Sequence, residues 1–272
     1  MKKEKVKKLL KWVKIVLLIY VLGAIALYFL QDAILFRPIS LKSNYKYDFP
    51  EKHEDINIPV NDNSNLNFIR FFSTDTVTKG VVLYFHGNKK NISWYAKYPP
   101  FFTRHGYEVW MIDYPGYGKS TGRLTEDNLY RWADYLYRFA KSKFSPDSII
   151  IYGKSMGTGI ASHLASKQVC KRLILETPYY DYPSILKTFL PFYPIDWILR
   201  YHVPTHRHLL HTHIPVTIFQ GTDDRIVTYR NAERLKAFLK PEDEFITIDG
   251  GSHNDLYKFK ITISKLDSLL KN

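Results

Sequence analysis

The sequence predicts a mostly parallel, eight-stranded sheet flanked by helices on both faces, with one apolar helix ahead of it. Three observations carry this. From residue 56 onward, short β-branched and aromatic runs alternate with longer amphipathic segments, the pattern of strand–helix–strand units. Two of those runs, residues 81–85 and 149–152, are apolar throughout, as strands covered on both faces must be. Near the start, residues 15–30 carry no charge at all.

That first segment reads as a transmembrane anchor over residues 12–30. At 1.5 Å per residue the span covers ~28 Å, close to the hydrocarbon thickness of a bilayer. Only Lys14 interrupts it, and its ammonium can snorkel to the headgroups, where Trp12 and Tyr28 also suit the interfaces. The basic segment 1–14 carries seven lysines against Glu4, so nearly half of the net charge of +13 sits in one twentieth of the chain. That placement fits the flank of a membrane helix; a nucleic-acid surface would need a basic patch on a folded face, and no nucleic-acid partner is expected. The rival reading is a cleaved signal peptide with Ala24-Ile25-Ala26 as its small-residue site, but residues 27–30 continue the apolar run beyond it. The lysine bias predicts a single-pass membrane protein with a cytoplasmic N-terminus and the folded domain on the opposite side.

Residues 31–55 read as a polar connector and 56–272 as one domain; the whole chain, 45% hydrophobic and 24% charged, has an ordinary globular composition. Strands are predicted at 56–60, 66–72, 81–85, 107–112, 148–152, 172–176, 216–219 and 244–248. Helices are predicted at 93–104, 126–143, 155–167, 229–239 and 255–270. The first strands lack an intervening helix and should form an antiparallel pair. Residues 182–211 break the rhythm with Pro183, Pro191, Pro194 and Pro204 among many aromatics, and read as a small helical lid. The single cysteine, Cys170, permits no intramolecular disulfide and does not decide the compartment.

Gly153-Lys154-Ser155-Met156-Gly157 matches G-x-S-x-G where an apolar strand gives way to a helix. The glycines suit a strained turn that exposes a serine nucleophile, because side chains at those positions would collide. Alone the motif is weak. A serine hydroxyl needs a histidine to take its proton and a carboxylate to hold that histidine, in the chain order Ser, acid, His for this fold. Asp224 follows the seventh predicted strand and His253 the eighth, both in loops at the Ser155 end of the sheet. Asp223 and Glu176 compete for the acid role, with Asp223 better suited to bracing the turn. The oxyanion hole should come from the Met156 N–H and, in Phe85-His86-Gly87-Asn88, from the Asn88 N–H. Five histidines of the 182–213 region (His202, His206, His208, His211, His213) could form a metal site, but no cysteine and few carboxylates accompany them, and neither metal nor cofactor is expected.

Together Tyr84-Phe85-His86-Gly87-Asn88, Asp113-Tyr114-Pro115-Gly116-Tyr117-Gly118-Lys119-Ser120, the serine motif, Gly221-Thr222-Asp223-Asp224 and Gly251-Ser252-His253-Asn254 resemble the membrane-anchored α/β-hydrolase-domain proteins. These are grouped with serine aminopeptidase-like hydrolases and are related to protein depalmitoylases. The resemblance spans roughly residues 30–270, including Gln31-Asp32 leading to Arg37-Pro38. It implies the α/β-hydrolase fold, a Ser155–Asp224–His253 triad and an Asn88/Met156 oxyanion pair. Pro115 and Gln220 depart from the family pattern, and neither is expected to touch the chemistry. The expected activity is hydrolysis of an ester or thioester of a small molecule or an acylated protein, with membrane lipid as the partner of the N-terminal helix. An amidase or peptidase with the same triad, and a catalytically silent binding protein, are the alternatives.

Overall fold

The computed structural model of the protein describes residues 2–271. It begins with α1 (Lys2–Leu35), then β1 (Arg37–Pro38), β2 (His53–Asn61), β3 (Ser64–Phe71), β4 (Gly80–Phe85) and β5 (Lys89–Lys90). Two short helices, α2 (Ile92–Tyr95) and α3 (Pro100–Thr103), precede β6 (Tyr107–Ile112), and α4 (Glu126–Lys141) leads to β7 (Ile149–Lys154) and α5 (Met156–Ala165). After β8 (Arg172–Glu176) come three insertion helices: α6 (Tyr182–Phe189), α7 (Ile195–Ile198) and α8 (Thr205–Leu210). The chain closes with β9 (Val216–Gly221), α9 (Tyr229–Glu233), β10 (Glu244–Ile248) and α10 (Lys260–Lys271).

The eight longer strands form one sheet in the order β10-β9-β8-β7-β4-β6-β3-β2. β3 runs antiparallel to both β2 and β6, and every other pair is parallel. All six residues of β4, of β6 and of β7 are buried, because both faces of the sheet are covered. Val81, Leu83 and Phe85 point into the cluster under α4 and α5, while Val82 and Tyr84 point into the one under α3 and α10. This is the period of two that a strand imposes. α4 shows why its residues are helical: the Thr125 side chain caps the Asn128 N–H at 3.1 Å, Glu126 and Asp127 fill the first turn, and Arg138 and Lys141 the last.

Two features of this topology position the site. β4 lies between β6 and β7, so the chain leaves β4 to one side and later returns to the other. A crevice opens at the carboxyl ends of such a pair. There β4 runs out toward Asn88 and β7 toward Ser155. The small parallel ribbon β1–β5 then fastens the segment after α1 to the chain just beyond Asn88.

Several elements differ from their predicted extents. The helix predicted over 93–104 is two short ones, because Pro99 and Pro100 remove donors in its middle. The segments 229–239 and 255–270 each begin or end in a 3₁₀ turn, Arg234–Phe238 and Leu256–Lys258. At the other end α1 continues through Gln31–Leu35, where the connector is predicted to start. Gln31 is the one buried residue of α1: it donates to the Tyr28 carbonyl at 2.6 Å and accepts the Arg200 N–H at 2.7 Å. The tertiary contact holds the last turns helical. α1 is long and apolar enough to cross a membrane, and no residue of its apolar window is buried.

Candidate active site

Ser155 stands between β7 and α5 with φ 51° and ψ −119°, a left-handed conformation that a residue with a Cβ adopts only under constraint. The constraint is the packing of its flanking glycines. A Cβ on Gly157 would come within 2.0 Å of the Phe85 carbonyl oxygen, and one on Gly153 within 2.6 Å of the Gly157 oxygen. Helix α5 is therefore pressed against the end of β4, and the serine is pushed out of the turn. Its own N–H donates to the Glu176 carbonyl at 2.9 Å, which ties the turn to β8.

His253 reaches the serine from the loop after β10, with Nε2 2.8 Å from Ser155 Oγ. Its Nδ1 lies 2.7 Å from Asp224 Oδ2. The other Asp224 oxygen accepts the Ile226 and Val227 N–H groups at 2.8 and 2.9 Å. The carboxylate is thus buried yet well supplied with donors. The acid loop and the histidine loop are laced together: Asp223 N–H donates to the Gly251 carbonyl at 2.9 Å, and a Cβ on Gly221 would lie 2.1 Å from that same oxygen.

Neither competing acid reaches the imidazole. Asp223 is exposed and lies near the Thr222 hydroxyl, 3.5 Å away. Glu176 is buried and fully engaged behind the serine: it pairs with Lys154 Nζ and accepts the Tyr152 hydroxyl at 2.6 Å. Burial, followed by the Glu176 charge, pushes the Tyr152 phenol well above its usual range, so it stays a neutral donor. Lys154 also reaches the His253 carbonyl at 3.3 Å, linking this buried ion pair to the histidine loop.

The Asn88 loop passes close to the serine; a Cβ on Gly87 would lie 3.5 Å from Ser155 Cβ. The Asn88 N–H has no protein acceptor among the described residues. The Met156 N–H belongs to the first turn of α5, which intrahelical bonding leaves unpaired. Behind the loop, His86 is buried with Nε2 3.2 Å from Asp113 Oδ1, and Asp113 accepts the Ile92 N–H at 3.0 Å. Burial raises the Asp113 carboxyl above its usual range, against the lowering effect of His86.

The lid-region histidines go to separate partners. His202 approaches the Asp196 carbonyl at 3.2 Å, His206 stacks on Tyr180 with centroids 4.0 Å apart, and His208 packs edge-on against His163 at 4.8 Å.

Residues 80–194 match the family model for the alpha/beta hydrolase fold. An esterase of Pyrococcus furiosus superposes with a TM-score of 0.67 at 18% identity, covering 87% of this chain and 97% of its own. The chain has the α/β-hydrolase fold. The esterase domain of a Rhodothermus marinus protein aligns likewise, with a TM-score of 0.61 at 17% identity over 81% of this chain and 96% of that one. Among sequence relatives, an uncharacterized protein of Mycobacterium tuberculosis is 27% identical over 203 residues, 74% of this chain and 72% of its own. The α/β hydrolase domain-containing protein 17C of Mus musculus is 26% identical over 201 residues, 70% of this chain and 59% of its own.

In this α/β-hydrolase-fold chain Gln220 departs from what the sequence predicts, and two buried pairs support the site. Gln220, expected to stay clear of the chemistry, does approach the site: its amide donates toward Asp224 Oδ2 at 3.4 Å and to the Val227 carbonyl at 3.1 Å. The Lys154–Glu176 pair and the His86–Asp113 contact are the two supports, and their pairing is what the motifs do not reveal. Their signal is a charged residue at the buried carboxyl end of an otherwise apolar strand.

Proposed function

We propose that the protein is a membrane-anchored serine hydrolase that cleaves carboxylic ester or thioester bonds of an apolar or acylated substrate. The hydrogen-bonded series Ser155–His253–Asp224 carries this reading. His253 Nε2 takes the Ser155 proton as Oγ attacks the acyl carbon, and the carbonyl oxygen becomes an oxyanion facing the Asn88 and Met156 N–H groups. Asp224 holds the imidazole in the tautomer with Nδ1 protonated and stabilises the imidazolium. The imidazolium then returns its proton to the departing alcohol or thiol, leaving an acyl-serine. Water, deprotonated by His253, releases the acid and restores the serine.

The apolar substrate class draws on the insertion between β8 and β9, with Ile185, Leu186, Leu190 and Tyr193 half-buried against the core. It draws also on the esterases among the structural neighbours and on the apolar α1. In this reading α1 crosses the bilayer, with its lysine-rich start on the cytoplasmic side and the catalytic domain on the other.

The test is covalent labelling by a fluorophosphonate, which reacts only with an activated serine. The wild-type chain should label at Ser155 and the Ser155→Ala chain should not. Labelling that survives Ser155→Ala, or is absent from folded wild type, overturns the assignment.

A further inference from the structure

The insertion carries three exposed, outward aromatic side chains: Phe189 (58% exposed), Phe192 (86%) and Trp197 (88%). The neighbouring apolar residues Tyr182, Ile195, Ile198 and Leu199 face inward and are buried. Those inward residues are enough to hold the insertion down, so the outward ones need a separate explanation.

The same insertion rests on α1. The Tyr20 and Tyr193 rings stack with centroids 4.8 Å apart and planes 3° from parallel, and Tyr20 donates its hydroxyl to the Phe192 carbonyl at 2.8 Å. A Cβ on Gly23 would lie 2.2 Å from the Tyr193 hydroxyl, so the absence of a side chain there lets the ring lie against the helix. Lower on the helix the contacts turn polar. Arg200 pairs with Asp32 at 2.9 Å, and the Arg200 N–H donates to Gln31. The insertion therefore lies along α1 from residue 32 back to residue 20.

The contact at Tyr20 and Gly23 falls inside the uncharged stretch 15–30, about 10–15 Å from its end at Leu30. No part of the domain can touch Tyr20 without entering the layer that stretch occupies. The polar contacts at Gln31 and Asp32 sit just outside it, at interface depth. In the insertion the one pair of opposite charges near the tip, Lys187 and Asp196, neutralise each other at 2.5 Å.

We propose that the tip of the insertion, residues 189–197, is embedded in the bilayer leaflet next to the catalytic domain, with Phe189, Phe192 and Trp197 in contact with acyl chains. This rests on the reading of α1 as a membrane anchor. It makes the insertion a second membrane element, and it would let a substrate pass from the leaflet to the site without crossing water.

The test uses the full chain in phosphatidylcholine vesicles, with an environment-sensitive fluorophore on single introduced cysteines. Cys170 is buried and its thiol is pushed up to about 12, so it stays silent to labelling. Phe192→Cys and Trp197→Cys place probes on the tip, Leu22→Cys on α1, and Val77→Cys on the exposed loop between β3 and β4 at the opposite end of the sheet. Doxyl-labelled lipid should quench the tip probes and the α1 probe by about half or more and leave the Val77 probe unchanged. Quenching at Leu22 without quenching at positions 192 and 197 overturns the embedded tip and leaves the anchor standing. No quenching at Leu22 removes the anchor and the proposal with it. Equal quenching at Val77 would mean non-specific adsorption and also overturns the proposal.

Discussion

The Asn88 side-chain amide donates to the Leu35 carbonyl at 2.8 Å, joining the residue proposed as oxyanion donor to the last turn of the N-terminal helix. The link is reinforced on both sides. The Asn88 carbonyl accepts the Arg37 N–H at 2.9 Å and the Tyr117 hydroxyl at 2.8 Å. Phe36 is buried between them, with its ring 4.7 Å from Tyr201. The end of α1 is thus part of the scaffold that aims the loop, and truncations at two points should behave differently.

Deleting residues 1–30 keeps Gln31, Leu35 and Phe36, whereas deleting 1–36 removes all three. On a water-soluble ester the shorter deletion should retain near wild-type kcat. The longer one should lose about tenfold or more, since removing an oxyanion donor outright costs about 10²–10³. Steady-state kinetics of both truncations decide this, and equal kcat values would show that Leu35 does not position Asn88.

Three carboxyl variants should separate chemistry from support. Asp224→Asn should lower kcat by about 10⁴, because the amide favours the wrong imidazole tautomer. Asp223→Asn, at an exposed position, should change kcat little. Glu176→Gln leaves the Lys154 ammonium buried without its partner and should cost about 3–5 kcal/mol of stability. Melting curves beside the kinetics distinguish the first loss from the third; a comparable kcat loss at Asp223 would reassign the acid.

Two substitutions in the serine turn should abolish labelling for different reasons. Ser155→Ala removes the nucleophile and should leave Tm within a few degrees of wild type. Gly157→Ala would drive a methyl group into the Phe85 carbonyl and should lower Tm as well, by overpacking worth about 1–3 kcal/mol or more. A Gly157→Ala chain with normal Tm and labelling would mean that the turn is not pinned by that contact.

Acid should destabilise the fold through His163 and His208. Burial pushes the first imidazole down to about 4 and the second down to about 3. An unfolded histidine titrates near ~6.5, so below that pH the unfolded chain binds protons that the native state refuses. Stability should fall as pH drops from ~6.5, with the His163 share complete below its native value. His163→Phe can keep the ring stacked on Tyr130, now 3.7 Å away, while removing one titration. Thermal melts across that window should show a shallower decline in the variant; parallel declines would place the acid sensitivity elsewhere.

An ester series with acyl chains of two to eight carbons tests the substrate class. Each methylene buried in the site can contribute ~0.8 kcal/mol, so kcat/KM should climb with chain length. Acetyl and octanoyl esters turned over equally well would point to a small polar substrate.

The α/β-hydrolase fold is legible in the chain because its signals are local. Apolar runs of strand length mark the central strands, amphipathic runs mark the helices, and the two glycines around Ser155 mark a turn that only small residues fit. Motif order placed Asp224 and His253 in the loops where the structure brings them to the serine. The amphipathic pattern runs through Pro99-Pro100, where the helix breaks.

Contacts between residues far apart in the chain emerge only once the chain is folded. That Gln31 is buried by Arg200, that Leu35 holds Asn88, and that Lys154 finds Glu176 and the His253 carbonyl all depend on contacts across more than twenty residues. The strand order sets β4 beside β7 and so makes the crevice, and no periodicity along the chain encodes that neighbour. For the insertion, hydrophobicity marks every aromatic alike. Burial sorted the apolar side chains of α7, turning Ile195 and Ile198 inward and Trp197 outward, because a short helix has one face to pack and must leave the other to its surroundings.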